Sequence, residues 1–319
     1  IYEARLGFEE FKKEVHIFSP AYKAEDMEEI VKIAKHIVFN SFSQMALYAK
    51  LAKENGCEIA LRINPECSTQ TEHEIYDPCS SGSRLGVRIA EFKKALESIE
   101  GKELYSMLDG LHFHTLCEQN SDDLYTTLQA VKQKFGKYLP DMKWLNFGGG
   151  HHITRKDYDV ELLKKCIVKM RDDYDLSIYL EPGEAVVLNA GYLVTTVIDV
   201  VEADIPIAIL DTSAACHMPD VIEMPYRPPL KDSALPDEKL YTYRLAGPTC
   251  LAGDVIGEYS FDKALKAGDK LVFEDMALYT MVKTNTFNGM PLPDINVMEK
   301  GECRLIKSFS YEDFKMRLS

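Results

Sequence analysis

The stretch that decides the fold of this 319-residue chain reads WLNFGGGHH over residues 144–152 and, after a charged helical segment, SIYLEPGEA over residues 177–185. Each half contains a short apolar strand, predicted over residues 143–147 and 176–180, which ends in a turn that carries polar groups. Parallel barrel strands deliver residues to their C-terminal rim in this way. The two turns are therefore predicted to form the floor of an active site.

The first turn contains Gly148, Gly149 and Gly150, whose backbone N–H groups have no side chains in front of them. This shape suits a phosphate group, although a glycine triplet is also a common tight turn between a strand and a helix. The second turn places the carboxylate of Glu181 before Pro182 and Gly183. The pair of turns favours a phosphate-bearing cofactor that has a basic nitrogen.

Composition narrows the class of protein. The net charge of −14 disfavours partners that need clustered Lys and Arg, such as nucleic acid or an anionic membrane surface. The eight cysteines stand at irregular intervals without a CxxC pair, which fits reduced thiols better than a disulfide framework or a structural zinc site. No apolar run is long enough to span a bilayer. We expect a cytoplasmic protein.

Strands and helices alternate along the first part of the chain, which is typical of a parallel α/β barrel. Strands are predicted over residues 15–19, 36–40, 58–64 and 107–113, with helices over 3–13, 25–34, 43–55, 90–100, 122–138 and 159–174. After residue 190 the pattern changes to β-branched and alternating runs with little helix between them. We therefore predict a barrel domain over residues 1–190 and an all-β domain over residues 191–319.

Several polar residues at strand ends could carry chemistry. His112 and His114 point to one face of a strand, and with His151 and His152 they could share a metal ion, although no carboxylate completes the ligand set. Cys250 lies on a Gly/Pro turn, where a thiol is accessible. Two further candidates at the ends of apolar runs are the carboxylate of Asp211 and the hydroxyl of Tyr279.

The order of these motifs over residues 2–289 resembles the fold III pyridoxal-phosphate decarboxylases, which include enzymes for ornithine, diaminopimelate and arginine. Within that family, the details are most similar to the carboxynorspermidine (carboxyspermidine) decarboxylases. The resemblance implies an alanine racemase-type (β/α)8 barrel followed by a β domain. The motifs that carry it are SRLG at residues 83–86, at the end of a polar loop over 65–83, HFH at 112–114, GGGHH at 148–152, EPGEA at 181–185, CHMPD at 216–220 and GPTCLAGD at 247–254.

The resemblance also implies roles for individual residues toward pyridoxal 5′-phosphate. His114 would stack on the pyridine ring, and Glu181 would pair with the ring nitrogen so that the ring stays protonated. The glycines 148–150, with Gly183 and Tyr279, would hold the phosphate. Cys250 would act from the partner subunit of a homodimer and protonate the α-carbon after decarboxylation.

Two departures from the family pattern are informative. Relatives that act on ornithine or diaminopimelate have an arginine where this chain has Glu184, and a glutamate can bind an amine instead of a carboxylate. The family's Schiff-base lysine is expected upstream of residues 1–7, so we expect a longer natural protein whose barrel includes a first strand missing from this sequence. Further residues assigned to substrate binding, in addition to Glu184, are Arg84, Asp211, Asp220 and Asp254.

These observations predict decarboxylation of carboxynorspermidine or carboxyspermidine to norspermidine or spermidine in polyamine biosynthesis. Three alternatives remain open. One is a related decarboxylase acting on diaminopimelate or ornithine, which Glu184 disfavours. The second is a catalytically silent homologue that dimerises with an active partner, and the third is a metal-dependent barrel hydrolase.

Overall fold

The computed structural model describes residues 1–70 and 77–319. Residues 71–76, part of the polar loop predicted over 65–83, lie outside the described residues. The chain divides into two compact units, Ile1–Val186 and Val187–Ser319. The assignment of residues 1–190 and 191–319 as separate domains stays a prediction.

Unit 1 is built on a parallel sheet of seven strands. Six of them follow the chain in the order β1-β2-β3-β5-β6-β7, and β4 pairs beside β3. This order confirms the predicted α/β class, with a parallel sheet like that of an incomplete barrel. The strands are β1 (His16–Phe18), β2 (His36–Phe39), β3 (Glu58–Asn64), β4 (Val87–Arg88), β5 (Gly110–His112), β6 (Trp144–Asn146) and β7 (Ser177–Tyr179).

Helices connect these strands, as parallel pairing requires. The apolar side chains of the helices and the outer face of the sheet form one continuous core. The helices of unit 1 are α1 (Tyr2–Leu6), which continues as a π-helical turn (Gly7–Phe11), α2 (Ala24–Ile33), α3 (Phe42–Glu54), α4 (Ile89–Ala95), α5 (Ile99–Ser106), α6 (Ser121–Phe135) with a 3-10 turn (Gly136–Asp141), α7 (Val160–Tyr174) and α8 (Gly183–Val187).

The central strands of unit 1 are buried on both faces, which explains their largely apolar sequence, whereas β1 and β7 are partly exposed. All four residues of β2 and six of the seven in β3 are buried. The inner face of the sheet has its own small cluster, in which Val38, Ala60 and Trp144 pack together. The sheet is curved, since the rings of His16 on β1 and Tyr179 on β7 approach to 5.0 Å between centroids.

Aromatic rings stack across the inner face of the sheet at the N-terminal ends of its strands. The His36 ring lies between those of His16 and Trp144, with centroid separations of 3.8 and 4.5 Å. The indole N–H of Trp144 donates to Glu58 over 2.9 Å. A Cβ atom on Gly110 would lie 2.3 Å from the Trp144 ring, so only glycine leaves room for the indole. This stack fills the end of the sheet opposite the predicted active site.

The prediction was wrong between residues 90 and 113. One helix and one long strand were expected there, but α4 ends at Ala95 and a second helix, α5, occupies Ile99–Ser106. The side chain of Ser98 accepts from the N–H of Gly101 and begins the new helix. The strand is consequently limited to Gly110–His112.

Unit 2 contains a five-stranded sheet in the order β11-β10-β9-β8-β12 and a separate hairpin of β13 and β14. The sheet is antiparallel except for the parallel pair of β9 and β10. No helix in the described part of the chain is long and apolar enough to cross a membrane. The elements are β8 (Tyr192–Val201), β9 (Ile207–Leu210), α9 (Ala214–His217), α10 (Asp220–Glu223), β10 (Tyr241–Ala246), β11 (Val255–Phe261), β12 (Lys270–Glu274), a 3-10 turn (Phe287–Gly289), β13 (Ile295–Glu299), β14 (Glu302–Lys307) and α11 (Tyr311–Leu318).

A buried carboxylate joins three elements of unit 1. Asp109, immediately before β5, accepts from the Nζ atoms of Lys53 and Lys143 at 2.6 and 2.8 Å and from the N–H of Ile59 at 2.8 Å. Burial acts to raise the pKa of Asp109, but these hydrogen bonds outweigh it and lower the pKa below its ordinary value. Asp109 therefore holds α3 and the start of β6 to β3 in its charged form.

Replacement of Asp109 by Ala is expected to lower the free energy of unfolding by about 3 kcal/mol, because two lysines and a backbone donor lose their acceptor. The wild-type advantage is present above the pKa of an unfolded aspartate, about 3.9, and is lost as the pH falls through the lower folded pKa. Urea unfolding at pH 7 and at pH 3 measures both effects. The control is Asp173→Ala, which removes the surface pairs of Asp173 with Lys132 and Lys169 and is expected to cost much less. Equal losses in the two variants would contradict the prediction.

Candidate functional site

The C-terminal ends of β5, β6 and β7 bring three polar side chains together. Asn146 donates from Nδ2 to Oε1 of Glu181 over 2.8 Å. Nε2 of His112 lies 3.4 Å from Oε2 of the same carboxylate. His112 and Asn146 are buried, whereas the Glu181 side chain is 38% exposed. The solvent-accessible space beside this carboxylate is called the recess. Asn146 and His112 thus hold the Glu181 carboxylate in one position, and the carboxylate can bind a ligand in the recess.

The glycine triplet lies beside this carboxylate. Gly148 has a φ of +72° and donates from its N–H to Oδ1 of Asn146 over 2.8 Å. A Cβ atom on Gly148 would lie 2.4 Å from the carbonyl oxygen of Phe113, and one on Gly149 would lie 2.7 Å from the carbonyl oxygen of Glu181. The turn therefore accepts only glycine at these two positions.

The structure modifies the phosphate cradle that the sequence predicted. Two of the three expected donors are already used within the protein, because Gly148 donates to Asn146 and Gly149 donates to Nδ1 of His114 over 3.3 Å. Phosphate binding through all three N–H groups would require these contacts to be exchanged. Gly183, at the start of α8, has open space around its Cα.

His114 lies next to a buried cation that the sequence reasoning missed. Arg62 on β3 donates from Nη2 to the carbonyl oxygen of His114 over 3.0 Å, and its guanidinium carbon lies 4.6 Å from the centroid of the Phe18 ring. Arg62 is 5% exposed. The signal in the sequence was a charged residue within the apolar strand EIALRIN, since charged side chains are rarely buried without a role.

The buried side chains around Glu181 shift one another's pKa values. Burial lowers the pKa of His114, and the nearby charge of Arg62 lowers it further, so the imidazole is neutral at pH 7. Burial also lowers the pKa of His112. For Glu181, desolvation acts to raise the pKa, but His112, His114 and Asn146 together hold it below its ordinary value. The recess therefore contains an ionised carboxylate beside neutral imidazoles.

The SRLG motif is attached to the ends of β2 and β3. The side chain of Asn40 donates to the carbonyl oxygen of Arg84 over 2.8 Å and accepts from the N–H of Gly86 over 2.7 Å. Asn64 donates to the carbonyl oxygen of Leu85 over 3.2 Å. Two asparagines thus fix the backbone of this loop, while the Arg84 side chain remains exposed.

Glu184 follows the Glu-Pro-Gly turn, and Oε1 of its carboxylate lies 3.1 Å from Nε2 of His152. Within residues 1–70 and 77–319, two groups have the spacing of a metal site: Glu14 with His16 and His36, and Glu118 with His152 and Glu184. Neither group contains His112 or His114. The four-histidine arrangement that the hydrolase hypothesis needs is therefore not found in the described residues.

In unit 2, Cys250 and Tyr279 lie in different surroundings. Asn288, in a left-handed conformation with a φ of +55°, accepts at Oδ1 from both the N–H and the Sγ of Cys250, at 3.0 and 2.9 Å. Lys283 lies 5.5 Å from the centroid of the Tyr279 ring and pairs with Asp220. Tyr279 and Asp220 thus lie next to the same lysine, and the positive charge of Lys283 is paired with the carboxylate of Asp220.

The two remaining aspartates have structural contacts. Asp254 is 2% exposed and accepts from the hydroxyls of Ser213 and Thr249 at 2.9 and 2.6 Å. Asp211 accepts from the hydroxyl of Thr195 and the N–H of Thr196 at 2.6 and 2.7 Å. Both carboxylates thus accept hydrogen bonds within unit 2, and their assignment to substrate binding stays a prediction.

The described residues of unit 1 fit a flat, phosphate-bearing aromatic cofactor. Gly148 and Gly149 let the turn pack closely against the carbonyl oxygens of Phe113 and Glu181, beside the Glu181 carboxylate. Glu181 offers an ionised acceptor for a ring nitrogen, and His114 offers a neutral ring. A carboxylate and an aromatic face are two of the groups that such a cofactor needs, and the glycine turn supplies backbone donors for a phosphate once the contacts of Gly148 and Gly149 are exchanged.

Comparison with known proteins defines the class. A family model described as "Pyridoxal-dependent decarboxylase, C-terminal sheet domain" matches residues 21–277. That match covers most of the chain and includes the glycine turn, Glu181 and Cys250. The chain belongs to the pyridoxal-dependent decarboxylase family.

Within the family, the chain is 44% identical to the carboxynorspermidine/carboxyspermidine decarboxylase of Campylobacter jejuni, over 99% of this chain and 83% of that protein. It is 42% identical to the carboxyaminopropylagmatine decarboxylase of a Synechocystis species, over 100% of this chain and 81% of that protein. The crystal structure of C. jejuni carboxynorspermidine decarboxylase complexed with norspermidine superimposes with a TM-score of 0.88, covering 99% of this chain and 84% of that chain at 42% identity.

Replacement of Asn146 tests how Glu181 is held. Asn146→Asp is expected to place a second carboxylate beside Glu181 and so raise the pKa of the pair in the folded state. The folded protein then binds more protons than the unfolded chain, so the destabilisation relative to wild type grows as the pH rises from 5 to 8. Urea unfolding across this range measures it. The control is Asn146→Ala, which removes both hydrogen bonds without adding charge. It is expected to lower the free energy of unfolding by about 1–3 kcal/mol at every pH. Parallel pH curves for the two variants would contradict the prediction.

Proposed function

We propose that this protein removes the α-carboxylate of carboxynorspermidine or carboxyspermidine and releases norspermidine or spermidine. The observation that carries the proposal is the position of Glu184, which faces His152 where related decarboxylases for ornithine or diaminopimelate have an arginine. A carboxylate there favours a substrate with amines along its length. The identity of 44% with the C. jejuni enzyme over 99% of this chain supports the same substrate class.

In the proposed reaction the bond between the α-carbon and the carboxylate breaks, CO2 leaves, and a proton takes its place on the α-carbon. When bound, pyridoxal 5′-phosphate supplies a protonated ring that delocalises the electron pair left by CO2. Glu181, ionised at neutral pH, would hold the proton on the ring nitrogen. Asn146 and His112 hold the Glu181 carboxylate in place through their contacts with its two oxygens. His114, uncharged at neutral pH, would stack on the ring without competing for that proton.

Further roles are proposed for the remaining residues. The backbone of Gly148–Gly150, together with Gly183 and Tyr279, would bind the phosphate. Cys250 would deliver the proton to the α-carbon in the partner subunit of a homodimer. Asn288, which accepts from the Cys250 thiol, would orient its sulfur. The cytoplasmic location stays a prediction.

Carboxyaminopropylagmatine is a second candidate substrate, because the Synechocystis enzyme named for it is 42% identical over the whole chain. Like the two carboxylated triamines, it is a basic amino acid that differs from them at the end remote from the reacting carbon. Carboxynorspermidine and carboxyspermidine differ by one methylene, which contributes only about 1–3 kcal/mol of discrimination in a pocket. Carboxyaminopropylagmatine instead ends in a guanidinium group, so it tests the recognition of the remote end of the substrate.

A substrate panel tests the proposal. Purified protein with pyridoxal 5′-phosphate is supplied with carboxynorspermidine, carboxyspermidine, carboxyaminopropylagmatine, meso-diaminopimelate or ornithine, and CO2 release and amine formation are followed. We expect the highest kcat/KM with one of the first two substrates and one deuterium at the α-carbon when the reaction runs in D2O. A highest kcat/KM with diaminopimelate or ornithine would refute the assignment, and no turnover of any substrate would favour a silent homologue.

Replacement of Glu184 by Gln is expected to raise KM for the preferred triamine about tenfold, since a hydrogen bond to a charged group contributes about 1.5 kcal/mol or more. The kcat value should change little, because Glu184 is proposed to bind an amine remote from the reacting carbon. Steady-state kinetics separate the two parameters. The matched control is Glu161→Gln on the exposed face of α7, where Glu161 pairs only with Lys164 among the contacts found there; an unchanged KM in Glu184→Gln would remove the carboxylate from substrate recognition.

A further inference from the structure

Two turns of unit 2 meet at the thiol of Cys250. Residues 247–254, called the cysteine turn, carry Cys250, and residues 286–291, called the asparagine turn, carry Asn288. Oδ1 of Asn288 accepts from the N–H and the thiol of Cys250 at 3.0 and 2.9 Å. Both residues are exposed, so no surrounding core enforces the contact. Its geometry therefore depends on how the two turns are held.

The cysteine turn is fixed to α9 by a buried carboxylate. Asp254, the last residue of the turn, accepts from the hydroxyl of Thr249 at 2.6 Å and closes the turn on itself. The same carboxylate accepts from the hydroxyl of Ser213 at 2.9 Å and from the N–H of Ala215 at 3.2 Å. Ser213 is the N-cap of α9, because its side chain accepts from the N–H of Cys216. One side chain thus joins the cysteine turn to the start of the helix.

The asparagine turn is fixed to the other end of the same helix. The thiol of Cys216 donates to the carbonyl oxygen of Phe287 over 3.5 Å. Nε2 of His217 lies 3.0 Å from the carbonyl oxygen of Pro291. Asn285, just before the turn, donates from its N–H to the carbonyl oxygen of Cys216 over 2.9 Å. These contacts begin before the turn and end at its last residue, so its whole length is attached to α9.

The tautomer of His217 follows from its neighbours. The ring is 3% exposed, and burial lowers its pKa, so the imidazole is neutral at pH 7. Nδ1 lies 3.2 Å from the N–H of Ser213, which can only donate, so Nδ1 carries the lone pair. The ring hydrogen is therefore on Nε2 and is donated to the carbonyl oxygen of Pro291. Because both ring nitrogens are used, His217 connects the start of α9 to the end of the asparagine turn.

Three polar residues of the CHMPD motif at 216–220 contact the same part of the chain. Cys216 and His217 reach the asparagine turn, and Asp220 pairs with Lys283, which precedes that turn. From the sequence, Asp220 was predicted to bind substrate, whereas Cys216 and His217 were named only as part of the motif. Helix α9 is thus the common base of the two turns that meet at the thiol.

We propose that Cys216 and His217 are positioning residues for Cys250. They hold the asparagine turn on α9, so that the amide oxygen of Asn288 meets the Cys250 thiol and keeps the sulfur in one rotamer. The inference rests on the proposed function, in which Cys250 delivers a proton to the α-carbon. It gives a task to two buried residues that do not themselves touch the thiol.

Alkylation by iodoacetamide measures how firmly the Cys250 thiol is held. Cys250 and Cys303 are both exposed, so peptide mapping of the full-length protein gives two rates, and Cys303 is the internal control. Asn288→Gly removes the acceptor and keeps the backbone conformation, because glycine adopts a φ of +55° without strain. His217→Phe keeps a ring but removes its hydrogen bonds. We expect each variant to raise the rate at Cys250 about threefold, the effect of losing one modest hydrogen bond, with Cys303 unchanged.

A double variant identifies the route of the effect. Because His217 is proposed to act through Asn288, adding His217→Phe to Asn288→Gly should not raise the rate at Cys250 further. Cys216→Ala is a smaller change in the same helix, expected to raise that rate about twofold, and it replaces His217→Phe if that variant does not fold. With pyridoxal 5′-phosphate and the preferred triamine, kcat should fall about threefold in these variants while KM stays unchanged, since the proton is delivered after CO2 has left.

Other results overturn the positioning role. Unchanged rates at Cys250 in both variants of α9, an equal rise at Cys303, or additive effects in the double variant would each exclude it. Alkylation needs no turnover, so a protein that shows the expected rates but decarboxylates no substrate of the panel would contradict the proposed function and leave the positioning role standing. Equal thermal unfolding midpoints of the variants exclude misfolding as the cause.

Discussion

The side-chain amide of Asn146 is the interaction on which the site depends. Its oxygen accepts from the N–H of Gly148, and its nitrogen donates to Glu181. One buried side chain thereby fixes both a left-handed glycine turn and a carboxylate that comes from a different strand. No other type of side chain of this size provides an acceptor and a donor in a fixed plane without adding charge. Asn146 therefore fixes the position of the glycine turn relative to the Glu181 carboxylate. A cofactor that binds to the turn would be correctly placed for contact with Glu181.

The charges of unit 1 are arranged at opposite ends of its strands. At the C-terminal ends, Glu181 borders the recess, and the buried Arg62 lies close enough to influence the pKa values of its neighbours. At the N-terminal side, Asp109 is enclosed by two lysines and serves only the fold. The difference follows from access. A carboxylate that is enclosed by donors of the protein, as Asp109 is, stabilises the fold. A carboxylate that is held by protein donors but remains partly exposed, as Glu181 is, can also bind a ligand.

Much of the fold follows from local signals in the sequence. The apolar runs of β2 and β3 and the turns at Gly148 and Glu181 could be predicted because strand burial and glycine turns are encoded within a few residues. The split between α4 and α5 was missed because it depends on one serine cap within a continuous helical pattern. Asn146 and Arg62 were missed as site residues because their importance arises from contacts across strands. Asp254 could not be recognised as buried, since nothing within its own turn shows that Ser213 and Thr249 surround it.

The stack of rings at the N-terminal end of the sheet has an optical consequence. Trp144 is the single tryptophan of the chain, and on β6 its ring stacks on that of His36 while its N–H donates to Glu58. Unit 2 therefore contains no indole, and its only long-wavelength absorbers are tyrosines. Emission excited near the red edge of protein absorption thus originates wholly in unit 1. Tryptophan fluorescence therefore reports on the surroundings of Trp144 in unit 1 and contains no contribution from an indole in unit 2.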